Sequence, residues 1–188
     1  MQRARDSVVQ LGYVVKPGGL EAAMNFWAET ARVGPFFTGR LQMVEQIFRG
    51  KPTNAEISIA IFYYGSMQIE LIEQLNDSPS PYNEWLSKLS HVPVGGSFHH
   101  FMIDHSDFDA TTERWIAAGC KEAFVAKSHG YRIAYLDAAA TTGGFVELID
   151  EIPAWRVMCR EMLEISQSWN GERPRRRLYE DLKVSLEQ

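Results

Sequence analysis

The chain has 188 residues, of which 45% are hydrophobic and 12% aromatic, with a formal net charge of −5. That is enough apolar material for one substantial core or two small halves sharing one, and the negative balance excludes a general nucleic-acid binder, because phosphate binding needs a cationic surface and Arg173, Arg175, Arg176 and Arg177 form too local a cluster to supply it. No apolar run approaches the roughly 20 residues that span a bilayer, the opening MQRARDSVVQ lacks the apolar core of a secretion signal, and Cys120 and Cys159 stand far apart with no neighbouring ligand pattern, so a cytoplasmic protein without membrane, disulfide framework or thiolate zinc site is expected.

The first element is VVQLGYVV, residues 8–15, β-branched and aromatic, closed by the turn chemistry of KPGG. From Leu20 the chain reads LEAAMNFWAETARVG, with Leu20, Ala23, Met24 and Trp27 at helical spacing and Gly34 as a stop. Three β-prone runs follow, GPFFTGRLQMVEQIFRG, ISIAIFYYG and MQIELIEQ, which makes the first half β-α-β-β-β. NDSPSPYNEWLSKLSHVPVGG is the connector, with a short helix around Tyr82 to Leu89. The order then repeats: SFHHFMIDH as a strand, SDFDATTERWIAAG as a helix capped by Ser106 or Asp107 and stopped at Gly119, and three β-prone runs ending at GGFVELID. PAWRVMCREMLEISQSW reads as a terminal helix, with Pro153 in its first turn and an apolar stripe of Trp155, Met158, Met162, Ile165 and Trp169 that covers the domain or a partner subunit. The remainder, NGERPRRRLYEDLKVSLEQ, reads as largely surface.

The two halves align as a diverged duplication. Leu20-Glu21-Ala22 with Trp27 matches Phe108-Asp109-Ala110 with Trp115, QIELIEQ lies over FVELIDE, and QLGYVV lies over HFMIDH. This sets Glu70 on Glu147 and Gln10 on His100, and it divides the chain into one domain over 1–152, with halves 7–76 and 97–152, and a helical extension over 153–188. The fold class is therefore α+β, two β-α-β-β-β modules forming a mixed sheet.

Strand alternation puts Gln10 on one face with Gly12 and Val14, and His100 with Met102 and Asp104, while the intervening Leu11, Tyr13, Phe101 and Ile103 suit packing under helices. By the same parity His99 points away from His100 and is structural. A carboxylate in the middle of an apolar strand costs several kcal/mol to bury unless it is paired or cation-bound, and both Glu70 and Glu147 occupy such positions. The competing readings are two exposed edge-strand carboxylates and a Gln10 that satisfies nearby backbone. If instead the halves meet about a pseudo-twofold axis, Gln10, Glu70, His100 and Glu147 converge, and that donor set suits one divalent zinc, nickel, cobalt, manganese or iron ion.

With these residues in place, the sequence resembles the vicinal oxygen chelate superfamily, which comprises glyoxalases, bleomycin resistance proteins and extradiol dioxygenases. The resemblance covers about residues 7–152. The order Gln10, Glu70, His100, Glu147 is similar to that of the metal ligands in glyoxalase I. VVQLGYVV, QIELIEQLND and HHFMIDHSDFDA resemble the methylmalonyl-CoA epimerase-like branch, from which Gln10 departs, since that branch usually carries His there. The resemblance implies a cupped sheet around a metal, a small-molecule substrate and a homodimer, the last also suggested by the apolar terminal helix. It implies an isomerase, epimerase or lyase that abstracts a proton beside a chelated carbonyl, with Glu147 as ligand and proton acceptor and Glu70 as its symmetry-related partner. The alternatives are a ring-cleaving dioxygenase, which uses two histidines and one carboxylate, and a non-catalytic binding protein. Phe36, Phe37, His129, Tyr131 and Tyr135 are the candidate substrate-contacting residues, and His91 is expected at the surface of the connector.

Overall fold

The computed structural model describes residues 6–150 and 152–183; the sequence expectations for residues 1–5, Glu151 and residues 184–188 lie outside the described residues. In chain order, strand β1 (Ser7–Val15) leads into helix α1 (Leu20–Ala31) and strands β2 (Phe36–Leu41), β3 (Val44–Phe48), β4 (Lys51–Pro52), β5 (Ile57–Tyr64) and β6 (Met67–Gln74). Helix α2 (Pro81–Ser87) forms the connector. The second half runs β7 (Ser97–Asp104), α3 (Phe108–Ala117), β8 (Lys121–Ser128), β9 (Tyr131–Asp137), the single turn α4 (Ala139–Thr142) and β10 (Phe145–Ile149), followed by α5 (Pro153–Gln167) and β11 (Arg175–Arg177).

The local chemistry explains these boundaries. Helix α1 buries Leu20, Ala23 and Met24, and the Glu73 carboxylate of β6 caps its start by accepting from the amides of Gly18 and Leu20. The helix ends with Arg32 in the left-handed conformation rather than at Gly34. Gly34 serves packing instead: a Cβ there would fall 2.6 Å from the indole of Trp169. Asp107 caps α3 by accepting from the Ala110 amide at 2.9 Å, and Gly119, at φ +98°, ends it. Helix α2 starts on Ser80, whose hydroxyl accepts from the Asn83 amide.

The eleven strands among the described residues belong to one mixed sheet, ordered β11-β2-β5-β6-β1-β7-β10-β9-β8-β3-β4. The two modules meet at the antiparallel pair β1 and β7, each flanked by a parallel partner, β6 or β10. The run expected as one strand, GPFFTGRLQMVEQIFRG, is two, β2 and β3. β2 lies toward one end of the sheet and β3 toward the other, yet only Gln42 and Met43 separate them in sequence. Two residues span too short a distance to cross an open sheet, so the sheet must curl until its ends meet, and the chain turns that corner between β2 and β3. This curl makes the cup.

Helices α1 and α3 cover the convex face. Under α1 lie Phe36, Phe62, Ile69 and Leu71, and under α3 lie Leu136, Val146 and Leu148. The concave face carries the main core, with Val14, Ile59, Ile61, Phe124 and Phe145 packed against Met158 and Met162 of α5, both fully buried. Each of those methionines contributes roughly 1.5–3 kcal/mol by burial. The apolar stripe of α5 therefore packs on its own domain through Met158 and Met162. The segment after α5, expected to be largely surface, also contributes to this core through Leu178 and Leu182. Among the described residues, no helix is long and apolar enough to cross a membrane.

Candidate metal centre

The register of the central strands decides which side chains can meet. Across the β1·β7 seam, Gly12 faces His100 and Gln10 faces Met102. On the flanking strands, Glu70 lies beside Gly12 and Glu147 beside Met102. Gln10 and His100 therefore sit diagonally across the seam, each with a glutamate on the strand outside it. All four are buried, with exposures of 3% for Gln10, 8% for Glu70, 0% for His100 and 5% for Glu147.

The donors converge on the concave side. Glu70, His100 and Glu147 each offer one atom, and the three atoms lie within 4.8 Å of one another. His100 Nε2 is 3.1 Å from a Glu147 oxygen and 3.7 Å from a Glu70 oxygen. His100 Nε2 and the nearer Glu147 oxygen are buried without a well-formed hydrogen bond. Burial, and then the neighbouring Glu147 charge, push the Glu70 pKa well above the carboxylate range. Two carboxylates and an imidazole lone pair with no other partner are what a divalent cation satisfies, so this donor set fits a metal.

Supporting groups orient Gln10 and His100. The Gln10 amide nitrogen donates to Gln68 at 2.6 Å, the Gln68 nitrogen donates to the Tyr63 hydroxyl at 2.8 Å, and that hydroxyl donates to the Cys159 carbonyl of α5 at 2.8 Å. With its nitrogen so engaged, Gln10 is left with its oxygen to offer. His100 is held by His99, the two Nδ1 atoms being 3.0 Å apart. Burial and the adjacent His100 keep the His99 pKa well below its usual range, so His99 is neutral. For His100 Nε2 to carry a free lone pair, its Nδ1–H must donate to His99 Nδ1. The proton of His99 then sits on Nε2, which lies toward the Pro81 carbonyl without closing a well-formed hydrogen bond.

His99 corrects the alternation argument. A register shift on the β1·β7 seam pairs Gly12 with His100 but Tyr13 with Phe98, and His99 falls in the bulge. Its ring consequently turns to the concave side, against Phe145 at 4.8 Å, Tyr82 at 5.3 Å and Tyr135 at 5.6 Å. Gly12 is a second residue the sequence reading passed over. A Cβ there would fall 1.9 Å from His100 Cε1, so only glycine leaves room for the imidazole. Neither signal was local: a bulge follows from pairing, and the need for glycine follows from what faces it across the seam.

A cavity of about 60 Å³ opens over these groups. Gln10, Glu70 and Glu147 line it, as do His129, Tyr131 and Tyr135 of the expected substrate-contacting set. Tyr135 also packs on the His100 ring at 5.1 Å, and burial pushes its pKa well up, keeping the phenol neutral. Phe36 requires correction: it lies on the convex face, stacked on Phe62 at 4.9 Å under α1. Phe37 does point to the concave side but is fully buried in the main core and does not line the cavity. Strand parity separates these neighbours, so only one of the two could ever have faced the cup. His91 is exposed in the connector, and His105 packs against Phe108 rather than joining the Glu-His-Glu cluster.

A two-module cupped sheet with a buried Glu-His-Glu cluster at its seam defines a cupped-sheet protein built from paired β-α-β-β-β modules. The chain belongs to the Glyoxalase/Bleomycin resistance protein/Dioxygenase superfamily, whose family model matches residues 9–135. No curated protein sequence matches the chain at a significant level. Among solved structures, it is similar to a hypothetical protein from Bacillus halodurans C-125 (TM-score 0.52, 16% identity, covering 79% of this chain and 96% of that one). A methylmalonyl-CoA epimerase in complex with methylmalonyl-CoA and NH4+ aligns at TM-score 0.50 and 18% identity, over 78% of this chain and 94% of the epimerase. A 4-hydroxymandelate synthase mutant from Streptomyces coelicolor aligns at 0.51 and 12% identity, over 77% of this chain and 48% of the synthase. At such identities these likenesses report the fold.

Proposed function

We propose that Gln10, Glu70, His100 and Glu147 hold one divalent metal ion (zinc, nickel, cobalt, manganese or iron), and that the protein is an isomerase, epimerase or lyase acting on a small molecule by proton transfer next to a chelated carbonyl. The observation that carries this reading is the cluster of three buried donors within 4.8 Å, two of them without another partner. Two carboxylates cost several kcal/mol each to bury without compensation, a penalty that a cation offsets.

When bound, the cation would polarise a substrate carbonyl and acidify the carbon beside it. Glu147 accepts the proton from that carbon. Glu70, on the other side of the site, returns a proton to the neighbouring atom in an isomerase or to the opposite face in an epimerase. Gln10 and His100 are fixed ligands, held by Gln68 and His99. The aliphatic walls exclude bulk water, which strengthens each electrostatic contact inside.

A ring-cleaving dioxygenase would need a second imidazole ligand. His99 is engaged through Nδ1 with His100 and stacked on Phe145, so it counts against that alternative. A purely binding protein would take its ligand without metal.

The test is elemental analysis of protein purified without a histidine tag or chelator, beside the Glu70→Ala/Glu147→Ala double variant. About one equivalent of transition metal, absent from the double variant, supports the site. Metal-free protein that stays so after reconstitution leaves the binding-protein account in its place. Once a substrate is in hand, Glu147→Gln abolishes turnover while the fold, followed by circular dichroism, is kept.

A further inference from the structure

The mouth of the cup is crossed by the chain's own C-terminal segment. β11 adds to the edge of the sheet in parallel with β2, where the Phe36 amide donates to the Pro174 carbonyl at 2.9 Å and the Leu178 amide to the Thr38 carbonyl at 2.8 Å. Farther on, the Asp181 carboxylate accepts from the Arg177 amide at 2.7 Å, and the Lys183 amide donates to the Glu161 carboxylate of α5 at 3.0 Å. The segment is thus tied to the sheet at one end and to α5 at the other. Between these ties, Leu178 is fully buried and Tyr179 lies over the opening, both lining the cavity. From the opposite rim, His129 in the turn after β8 meets the Tyr179 ring, with centroids 6.0 Å apart.

The remaining wall is aliphatic, with Ile57, Ile59, Ile133 and Ile149 around the carboxylates and Trp155 at one side. Among the described residues that line the cavity there is no lysine or arginine. A phosphate or carboxylate held inside the cavity would meet isoleucines with no cation to pair with, a costly desolvation. A long tail would also have to leave past Tyr179 and His129.

We propose that the segment 175–183 is a specificity strap. It restricts the metal centre to small, uncharged compounds that present two adjacent oxygens on a short aliphatic or aryl body, such as α-hydroxy ketones, and it excludes acyl groups carried on coenzyme A or glutathione. Tyr179 and His129 form the rim that sets this limit. The proposal deepens the metal-centre reading and rests on it for the mode of oxygen binding, but not for the exclusion of charged tails.

The test uses the full chain loaded with cobalt(II) and titrated with benzohydroxamate or with the same hydroxamate linked to glutathione through a thioether. Visible absorption of the cobalt and tryptophan fluorescence are followed in parallel. Benzohydroxamate binds at least about tenfold tighter than the conjugate, and Tyr179→Ala reduces that ratio to below about threefold by strengthening the conjugate. His129→Asn, which keeps a residue tolerant of the positive φ at this turn, shifts the ratio in the same direction and serves if Tyr179→Ala does not fold. Equal binding of the two probes to the parent protein, or a ratio unchanged in both variants, overturns the strap. Failure to take up cobalt overturns the metal reading alone. The strap is then decided by the same ratios, read from fluorescence with 2-hydroxyacetophenone and its glutathione conjugate.

Discussion

In the first half of the sheet the inner polar side chain is an amide, Gln10, held by a second amide on the neighbouring strand and, through Tyr63, by α5. In the second half it is an imidazole, His100, held by the imidazole that precedes it in the same strand. The residues facing them differ in the opposite sense: Gln10 faces Met102, while His100 faces Gly12. The two halves therefore keep one register and spend their space differently. A slim amide tolerates a methionine across the seam but needs a long-range tether, whereas a ring needs an empty position across the seam and is steadied by a bulge beside it.

The largest effect expected from breaking this asymmetry is at Gly12. Gly12→Ala sets a methyl group 1.9 Å from His100 Cε1, so the ring must leave its position or the seam must open. Metal affinity falls by about 100-fold or more, with Met102→Ala, the corresponding change facing Gln10, costing far less. Competition with a metal indicator checks both. Comparable affinities in the two variants would mean that the seam does not need the glycine for the ring.

The outer glutamates allow a second test. In the metal-free protein the folded-state pKa of Glu70 lies above its unfolded value, because burial and then Glu147 disfavour its charge. A carboxylate with a raised pKa contributes stability that is fully present below its unfolded pKa and is lost as pH rises through its folded one. Chelated protein therefore weakens from acid toward neutral pH, and Glu70→Gln, which cannot ionise, removes part of that slope. The variant gains about 1–2 kcal/mol near neutral pH without metal and loses the stabilisation that added metal gives the parent. Denaturant melts at several pH values, with and without chelator, measure both. A variant no more stable than the chelated parent near pH 7 would show that Glu70 is not a destabilising buried charge.

Next in size is the tether. Gln68→Leu frees the Gln10 amide to rotate and weakens metal binding by about tenfold, while His99→Phe does the same for His100. If only the second matters, Gln10 is a bystander and the centre is the three-donor cluster alone.

Much of this was legible in the sequence, for a physical reason. A buried carboxylate inside an apolar strand is costly enough to stand out, and two at matched positions identify each other. QIELIEQ over FVELIDE and QLGYVV over HFMIDH paired the same residues that the strand register now sets about the seam. What escaped depended on contacts between distant segments. The parity rule placed His99 on the wrong face because it assumes an unbroken ladder, and the bulge that breaks it is a property of the β1·β7 pair. Phe36 and Phe37 are adjacent and alike, so composition could not say which faces the cup. The splitting of GPFFTGRLQMVEQIFRG at Gln42 and Met43 follows from closure of the sheet, which no local propensity records. The strap was read as surface because three arginines precede Leu178 and charged residues surround Leu182, which obscures the two buried leucines.

The smallest expected effect lies where the two halves are joined away from the seam. Arg49, in the β3–β4 turn of the first half, reaches Glu84 of α2 at 2.6 Å and Asp137 at the end of β9 at 2.7 Å. The Arg49 guanidinium, ahead of Lys88, lowers the Glu84 pKa to about 2 against an ordinary 4.5. A depressed carboxylate contributes stability that is present above its unfolded pKa and is lost as pH falls through its folded one. The contribution should therefore fade between about pH 4.5 and 2. Arg49 is 36% exposed, so solvent screening limits the effect of Arg49→Met to about 0.5–1 kcal/mol at neutral pH. The difference between parent and variant shrinks on acidification and with added salt. Metal affinity stays within about twofold, because the bridge tethers the closing hairpin of the cup and not the ligands at the seam. Urea melts at pH 7 and pH 3 give the first result and indicator competition the second. A tenfold loss of metal affinity in this variant would mean that closure of the cup, and not the local supports of each half, holds the ligands in place.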